Sequence, residues 1–402
     1  MAFYLKKAVL DRGKSIRHAE IDLLSGLNVV IGKNGSGKTN FLNFLTTAIS
    51  SNFHVLEGEF SELIFANNGV DFSMRVTKEI AIHSSGVASF PSPIVNKELI
   101  INGKSFNPQR NSEYLDVLEQ NKSVFFDNYI QYGVPEKFLL FKDPYSFSID
   151  YQEKQSTNLS NLYSSIPNQL SSATIILNSL FISLTKLTER PKEKNISEIL
   201  NKIQSKFITP IESNLRLITN IEEVRISPNL NFYYEHNAKL IINNLFFEYK
   251  IDDNWLPYSS LSDGTRRVLY LVFETQIMSF VKAGVQEMMI DEIPNKDIFK
   301  PEGILIFIEE PELGLHPHQL HKLMEFLKEQ SESKQIILTT HSPQVLDILG
   351  PDELERIIIC EYDHEKGTQL RHMTEEEMER ARNYMKKMYL SDFWRFTDFN
   401  EK

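Results

Sequence analysis

Four short blocks of the chain are apolar without alternation: LNVVI at 27–31, LIFI within GILIFIEE at 303–310, IIL within QIILTTHS at 335–342 and III within ERIIICEYD at 355–363. A continuous apolar run of this length predicts a strand buried on both faces. Helical spacing follows three of them. Phe41, Leu42, Phe44, Leu45 and Ala48 lie on one face after the first block, residues 318–330 repeat the pattern after the second, and residues 374–388 after the last. Strands alternating with helices predict a parallel α/β sheet.

Other stretches read differently. The first thirty residues alternate loosely around Asp11-Arg12-Gly13 and Ser25-Gly26, which predicts a hairpin or two short strands. Segments such as HVLEGEFSELIF and DFSMRVTKEIAI, within residues 52 to 150, predict antiparallel strands with loops. No glycine occurs from Val134 through Asp263, which favours continuous elements. Helices are expected there over 171–188 and 197–220, broken at Glu189-Arg190-Pro191-Lys192, with a kink at Pro210. At 1.5 Å per residue they reach only about 27 and 36 Å, so a long coiled-coil arm is not expected. Residues 222–257 return to strand character (LIINNLFFEYKI). We therefore expect an N-terminal lobe at 1–160, a helical hairpin insertion at 161–222 and a C-terminal lobe at 223–402.

Composition narrows the class. A chain of 402 residues, 41% hydrophobic and 24% charged, is of globular type and long enough for two or three units. With 43 Lys and Arg against 54 Asp and Glu, the net charge of −11 argues against a nucleic-acid coat protein. The single cysteine, Cys360, argues against a disulfide scaffold and fits a reducing cytosol. No secretory leader or membrane-spanning segment is expected, so the default location is cytoplasmic.

The first apolar block runs into Gly32-Lys33-Asn34-Gly35-Ser36-Gly37-Lys38-Thr39, followed by Asn40. This is the pattern G-x-x-x-x-G-K-[ST] in its required place between strand and helix. Glycines let backbone N–H groups wrap a phosphate, and the following helix turns its positive end toward the anion. Lys38 would reach the β and γ phosphates of a nucleotide and the Thr39 hydroxyl would ligate magnesium, which makes ATP and Mg2+ the expected cofactors. A strand ending in carboxylates is the complement. Met288-Met289-Ile290-Asp291-Glu292 is one choice, but three apolar residues and a Pro-Asn-Lys sequel read as a solvated loop. Ile304 to Ile308, ending in Glu309 and Glu310, is the better one: Glu309 on the metal side, Glu310 as general base.

Two further segments join these. Leu261-Ser262-Asp263-Gly264-Thr265-Arg266-Arg267 precedes an apolar helix that Ser262 can cap, with the N–H groups of Asp263 and Gly264 presenting an anion site. Thr339-Thr340-His341-Ser342-Pro343 puts a histidine at the C-terminal end of a parallel strand, within reach of a γ-phosphate.

GKNGSGKT, LSDGTRR, ILIFIEEPELGLHP and TTHSP, in that order, resemble the ABC-type ATPase superfamily, and within it the OLD-like AAA-type ATPases with their EEPE and LHP. The resemblance covers residues 1–50 and 255–402, and YLSDFWRFTDF is similar to a C-terminal tail of the group. It implies an α/β fold: an ABC-type P-loop ATPase head, a mixed and parallel sheet flanked by helices, here with a helical insertion. It also implies head-to-tail pairing, in which Ser262 and Gly264 of one copy face the nucleotide on Lys38 of the other, with Glu310 activating water and His341 holding the γ-phosphate. Relatives supply a glutamine to the metal from a loop after a strand; Gln131 is the candidate, and several other glutamines could serve. Arg17 or Tyr4 are candidates for the adenine contact.

About sixty residues follow His341 without a second acidic strand-end cluster, so the Toprim nuclease of many OLD proteins is not expected. The resemblance then implies a homodimer or higher homo-oligomer that controls a separately encoded effector, a nuclease or toxin, as in anti-phage defence. A RecF-like DNA-repair ATPase, binding DNA ends or gaps, is the alternative. DNA or RNA could be the factor sensed. A transporter subunit is disfavoured by EEPE–LHP and by the long insert, and no membrane partner is expected.

Overall fold

The computed structural model describes residues 3–49, 58–67, 70–80, 93–101, 104–106, 129–132, 144–150, 176, 180, 183–184, 192–236, 239–289 and 305–396. Among them the strands run β1 (Phe3–Gly13), β2 (Ile16–Asp22), β3 (Leu27–Ile31), β4 (Phe60–Asn67), β5 (Val70–Ile80), β6 (Pro93–Ile101), β7 (Lys104–Phe106), β8 (Tyr129–Tyr132), β9 (Tyr145–Asp150), β10 (Glu223–Ile226), β11 (Asn231–Glu235), β12 (Lys239–Leu245), β13 (Phe247–Ile251), β14 (Asn254–Pro257), β15 (Leu305–Glu309), β16 (Gln335–Thr340), β17 (Ile357–Asp363) and β18 (Gly367–His372). The helices are α1 (Lys38–Ile49), α2 (Glu193–Ile203), α3 (Thr209–Ile218), α4 (Asp263–Met289), α5 (Pro317–Gln330), α6 (Glu375–Met385) and α7 (Leu390–Phe396).

The chain divides into two compact units, Met1–Gly133 with Lys300–Lys402, and Val134–Phe299. The boundaries expected at 160 and 222 differ from this division, because strands distant in sequence share one sheet.

That sheet fills the first unit, in the order β7-β6-β5-β4-β1-β2-β18-β17-β3-β16-β15-β8. Neighbours from β17 to β8 pair in parallel, and the rest are antiparallel. The apolar blocks become the parallel half, and every residue of β3 and β16 is buried. β8 lies in the stretch read as antiparallel, yet it pairs in parallel with β15; its four residues, Tyr-Ile-Gln-Tyr, carry no signal of strand direction. The helix α1 lays Phe41, Leu42, Phe44, Leu45 and Ala48 into a core with Val30, Phe307, Ile337 and Ile358. Two buried amide side chains in this half are paired with backbone. Gln335 bonds both the N–H and the carbonyl of Leu5, at 2.7 and 2.8 Å, and Asn28 bonds the N–H and carbonyl of Leu24.

The second unit holds two three-stranded sheets, β10-β13-β14 and β11-β12-β9, with α2, α3 and α4. It is thus more than a helical hairpin. The helix expected from 197 begins earlier, at Glu193, and a π-helical turn at Gln204–Ile208 joins α2 to α3. Pro210 sits in the first turn of α3, where its missing N–H costs least, so the irregularity precedes it. Of the helix expected over 171–188, only residues 176, 180, 183 and 184 are described, as helical.

Candidate functional site: a glycine-rich loop facing an acidic strand end

Register aligns the ends of three parallel strands. Thr340 pairs with Ile31, and Glu309 with Thr339, so the residues following β3, β15 and β16 emerge along one edge. In a parallel sheet this C-terminal edge is where ligands bind.

The loop after β3 is held from below. The Gly32 N–H donates to the Thr340 carbonyl at 3.3 Å, and a Cβ at Gly32 would overlap the Cys360 carbonyl oxygen. Gly37 has a φ of +104°, and a Cβ there would overlap Thr368. Thr368 Oγ1 donates to the Ser36 carbonyl at 2.9 Å and meets Ser15 Oγ at 2.7 Å. Asn40 donates to Ser15 Oγ at 2.7 Å, so it braces the loop from its helix. Cys360 lies beneath, buried, its Sγ 3.5 Å from the Ser36 carbonyl; burial pushes its thiol up from the ordinary range.

Lys38 is 5% exposed and its Nζ donates to the carbonyls of Gly32 and Lys33, at 2.9 and 3.1 Å. Asn34 and Gly35 stand exposed at the loop's tip, whereas Ser36 is buried and its Oγ has no partner among the described residues. The loop therefore presents backbone around an ammonium group at the head of a twelve-residue helix.

Opposite stand the acids. Thr39 Oγ1 donates to Glu309 Oε1, bringing the hydroxyl and the carboxylate expected at magnesium into contact. A hydroxyl and a carboxylate fit a Mg2+ that completes its shell with phosphates and water. Glu310 has a φ of +44°, in the left-handed region that a side chain rarely occupies, and its N–H donates to the Thr339 carbonyl at 2.8 Å. Such strain concentrates at functional sites. Glu310 Oε1 lies 3.2 Å from His341 Nδ1.

The remaining expectations divide. Ser262 caps α4, accepting from the Thr265 N–H at 3.2 Å, and is exposed; Gly264 is buried in that helix's first turn. Both belong to the second unit. Gln131 lies inside β8, in register with Phe307, and not in a loop beyond the strand. Asp291 and Glu292 lie outside the described residues. Arg17 reaches the His364 carbonyl at 3.5 Å. Three residues escaped sequence reading. Ser15 lies in the turn between β1 and β2 and Thr368 near the start of β18, and the proximity of either to the loop has no sequence mark. Glu312 is the last acid of EEPE, but nothing in the motif pairs it with Thr340, 28 residues on.

Residues 27–347 match the family described as "AAA domain, putative AbiEii toxin, Type IV TA system". The chain belongs to this family. The match takes in the phosphate loop, both acidic residues, the segment around Ser262 and His341. Over 91 residues the chain is 28% identical to the DNA replication and repair protein RecF of Bifidobacterium longum subsp. infantis, which covers 21% of this chain and 22% of that protein. Among solved structures it is similar to an SMC head bound to the C-winged helix domain of ScpA, at 14% identity and a TM-score of 0.48 over 94% of this chain and 99% of that one. It is also similar to the SMC head domain from Thermotoga maritima, at 14% identity and a TM-score of 0.44 over 92% and 99%. The fold has the mixed sheet flanked by helices expected from the sequence, and the family is one of AAA-like ATPase domains. Among the described residues no helix is long and apolar enough to cross a membrane.

Proposed function

We propose that this chain binds MgATP on residues 32–40 and hydrolyses it, and that ATP pairs two copies head to tail. The observation that carries this reading is the contact of Thr39 with Glu309, beside Glu310 and His341, at one edge of the parallel sheet. When bound, Mg2+ would be held by Thr39 and Glu309, with Gln131 or another glutamine as a further ligand, and would neutralise charge on the phosphates. Lys38 would turn its ammonium from the loop carbonyls to the β and γ phosphates. Glu310 would accept the proton of the attacking water, and His341 would hold the γ-phosphate through Nε2. Exposed Ser262, with Gly264 behind it, would close the site of the other copy.

In this reading the dimer, cytoplasmic and of OLD-like type, controls a separately made effector, a nuclease or toxin, in defence against phage. The family's description names a type IV TA system, which supports a chain that works with a second component. A RecF-like role on DNA ends or gaps is the second reading, favoured by the RecF match. Light scattering with ATP tests the core. Glu310→Gln should hold ATP, stay dimeric and hydrolyse about 10³-fold more slowly, and Lys38→Ala should neither bind nor dimerise. A Glu310→Gln chain that hydrolyses at the wild-type rate, or remains monomeric with ATP, would refute it. Gapped-duplex binding with a steep salt slope would favour the second reading.

A further inference from the structure

Glu312 follows the two acids of the site by one proline, and its side chain is only 7% exposed. Its Oε1 gathers three donors from the histidine segment: Thr340 Oγ1 at 2.5 Å, the His341 N–H at 3.1 Å and the Ser342 N–H at 3.3 Å. The same oxygen lies 3.3 Å from His341 Nδ1, and Oε2 is buried with no partner among the described residues. A carboxylate so enclosed loses its water, so removing the donors it has is strongly unfavourable.

His341 is constrained in two ways. Its backbone is tied to the loop that carries Glu310, because Glu310 and Glu312 are separated only by buried Pro311. Its ring is also set. Nδ1 faces two carboxylate oxygens, 3.2 Å from Glu310 and 3.3 Å from Glu312, and carboxylates only accept, so Nδ1 carries a proton. That fixes the tautomer and leaves Nε2 on the far side of the ring.

We propose that Glu312 is a positioning residue for hydrolysis, clamping the histidine segment to the acidic loop so that His341 and Glu310 act at one fixed separation. This rests on the ATPase reading above and adds a residue that acts through the histidine segment. A clamp acting through His341 has a signature that a purely structural carboxylate lacks: its loss disappears when His341 is already gone.

The test is a double-mutant cycle on the full chain, with kcat and KM for ATP measured alongside thermal melting. Glu312→Ala should lower kcat about 100-fold, the scale expected of a misplaced catalytic group, and leave KM within about threefold. Glu312→Gln keeps an acceptor oxygen for the three donors and should recover to within about tenfold of wild type. His341→Ala combined with Glu312→Ala should be no slower than His341→Ala alone. Should Glu312→Ala not fold, Thr340→Val cuts the same clamp from the other side and enters the same cycle. Wild-type kcat in Glu312→Ala, additive losses in the cycle, or a Gln variant as slow as the Ala variant would each overturn the clamp. A wild-type chain that leaves ATP intact would overturn the ATPase reading, and the clamp with it; the other failures leave that reading standing.

Discussion

The two halves of the large sheet share one run of hydrogen-bonded strands but differ in pairing direction, and they do different work. In the parallel half, β3 and β16 are buried at every position, and β15 at all but the terminal Glu309. Their other side chains are used up in packing, so chemistry is confined to each strand's C-terminal residue and those just past it. In the antiparallel half, β2 alternates buried with exposed positions and β4 and β5 cross-brace their outer faces, as Arg75 Nε does with Glu62 Oε1 at 2.8 Å. There polar groups are spread along the strands and face solvent. A strand buried on both sides concentrates function at its end, and a strand buried on one side distributes charge along its length.

Substitutions in the two halves should therefore differ sharply. The largest effect is expected at Gly32, where any Cβ overlaps the Cys360 carbonyl, a backbone atom that cannot swing aside. Gly32→Ala should lower ATP affinity by at least about 100-fold while the rest of the sheet stays folded, read by calorimetric titration and circular dichroism. Next, Ile337→Ala in the centre of β16, where the side chain is fully buried, should cost about 2–5 kcal/mol in urea unfolding. Least affected should be Arg75→Ala in β5. Its exposed pair with Glu62 is worth roughly 0–1 kcal/mol, and the loss should shrink further in high salt. If Arg75→Ala proves as damaging as Ile337→Ala, the contrast between the halves is wrong.

Much of the site was legible because each part carries a local signature. A glycine-rich loop after an apolar strand, an acidic pair at a strand end and a histidine after another such strand are each readable within ten residues of sequence. Glu309 next to Thr39 could be expected on that basis, although they are 270 residues apart. Glu312 could not, since a carboxylate after proline in a loop reads as solvated until its three donors are seen. The role of Gln335 is equally unmarked: it is buried and satisfied by the backbone of Leu5, 330 residues away. The direction of β8 was hidden too, because pairing direction is set by the neighbour and not by the strand's own residues.

The sequence by itself determined the buried parallel strands and the glycine-rich loop between β3 and α1, since periodicity and turn residues act over a few neighbours. The tertiary structure alone decided which segments meet: that β8 closes the parallel edge, that residues 134–299 form a unit of their own, and that Glu312 holds the histidine segment. Those outcomes depend on contacts between residues far apart along the chain, where burial and hydrogen-bond satisfaction are settled jointly and leave no local pattern to read.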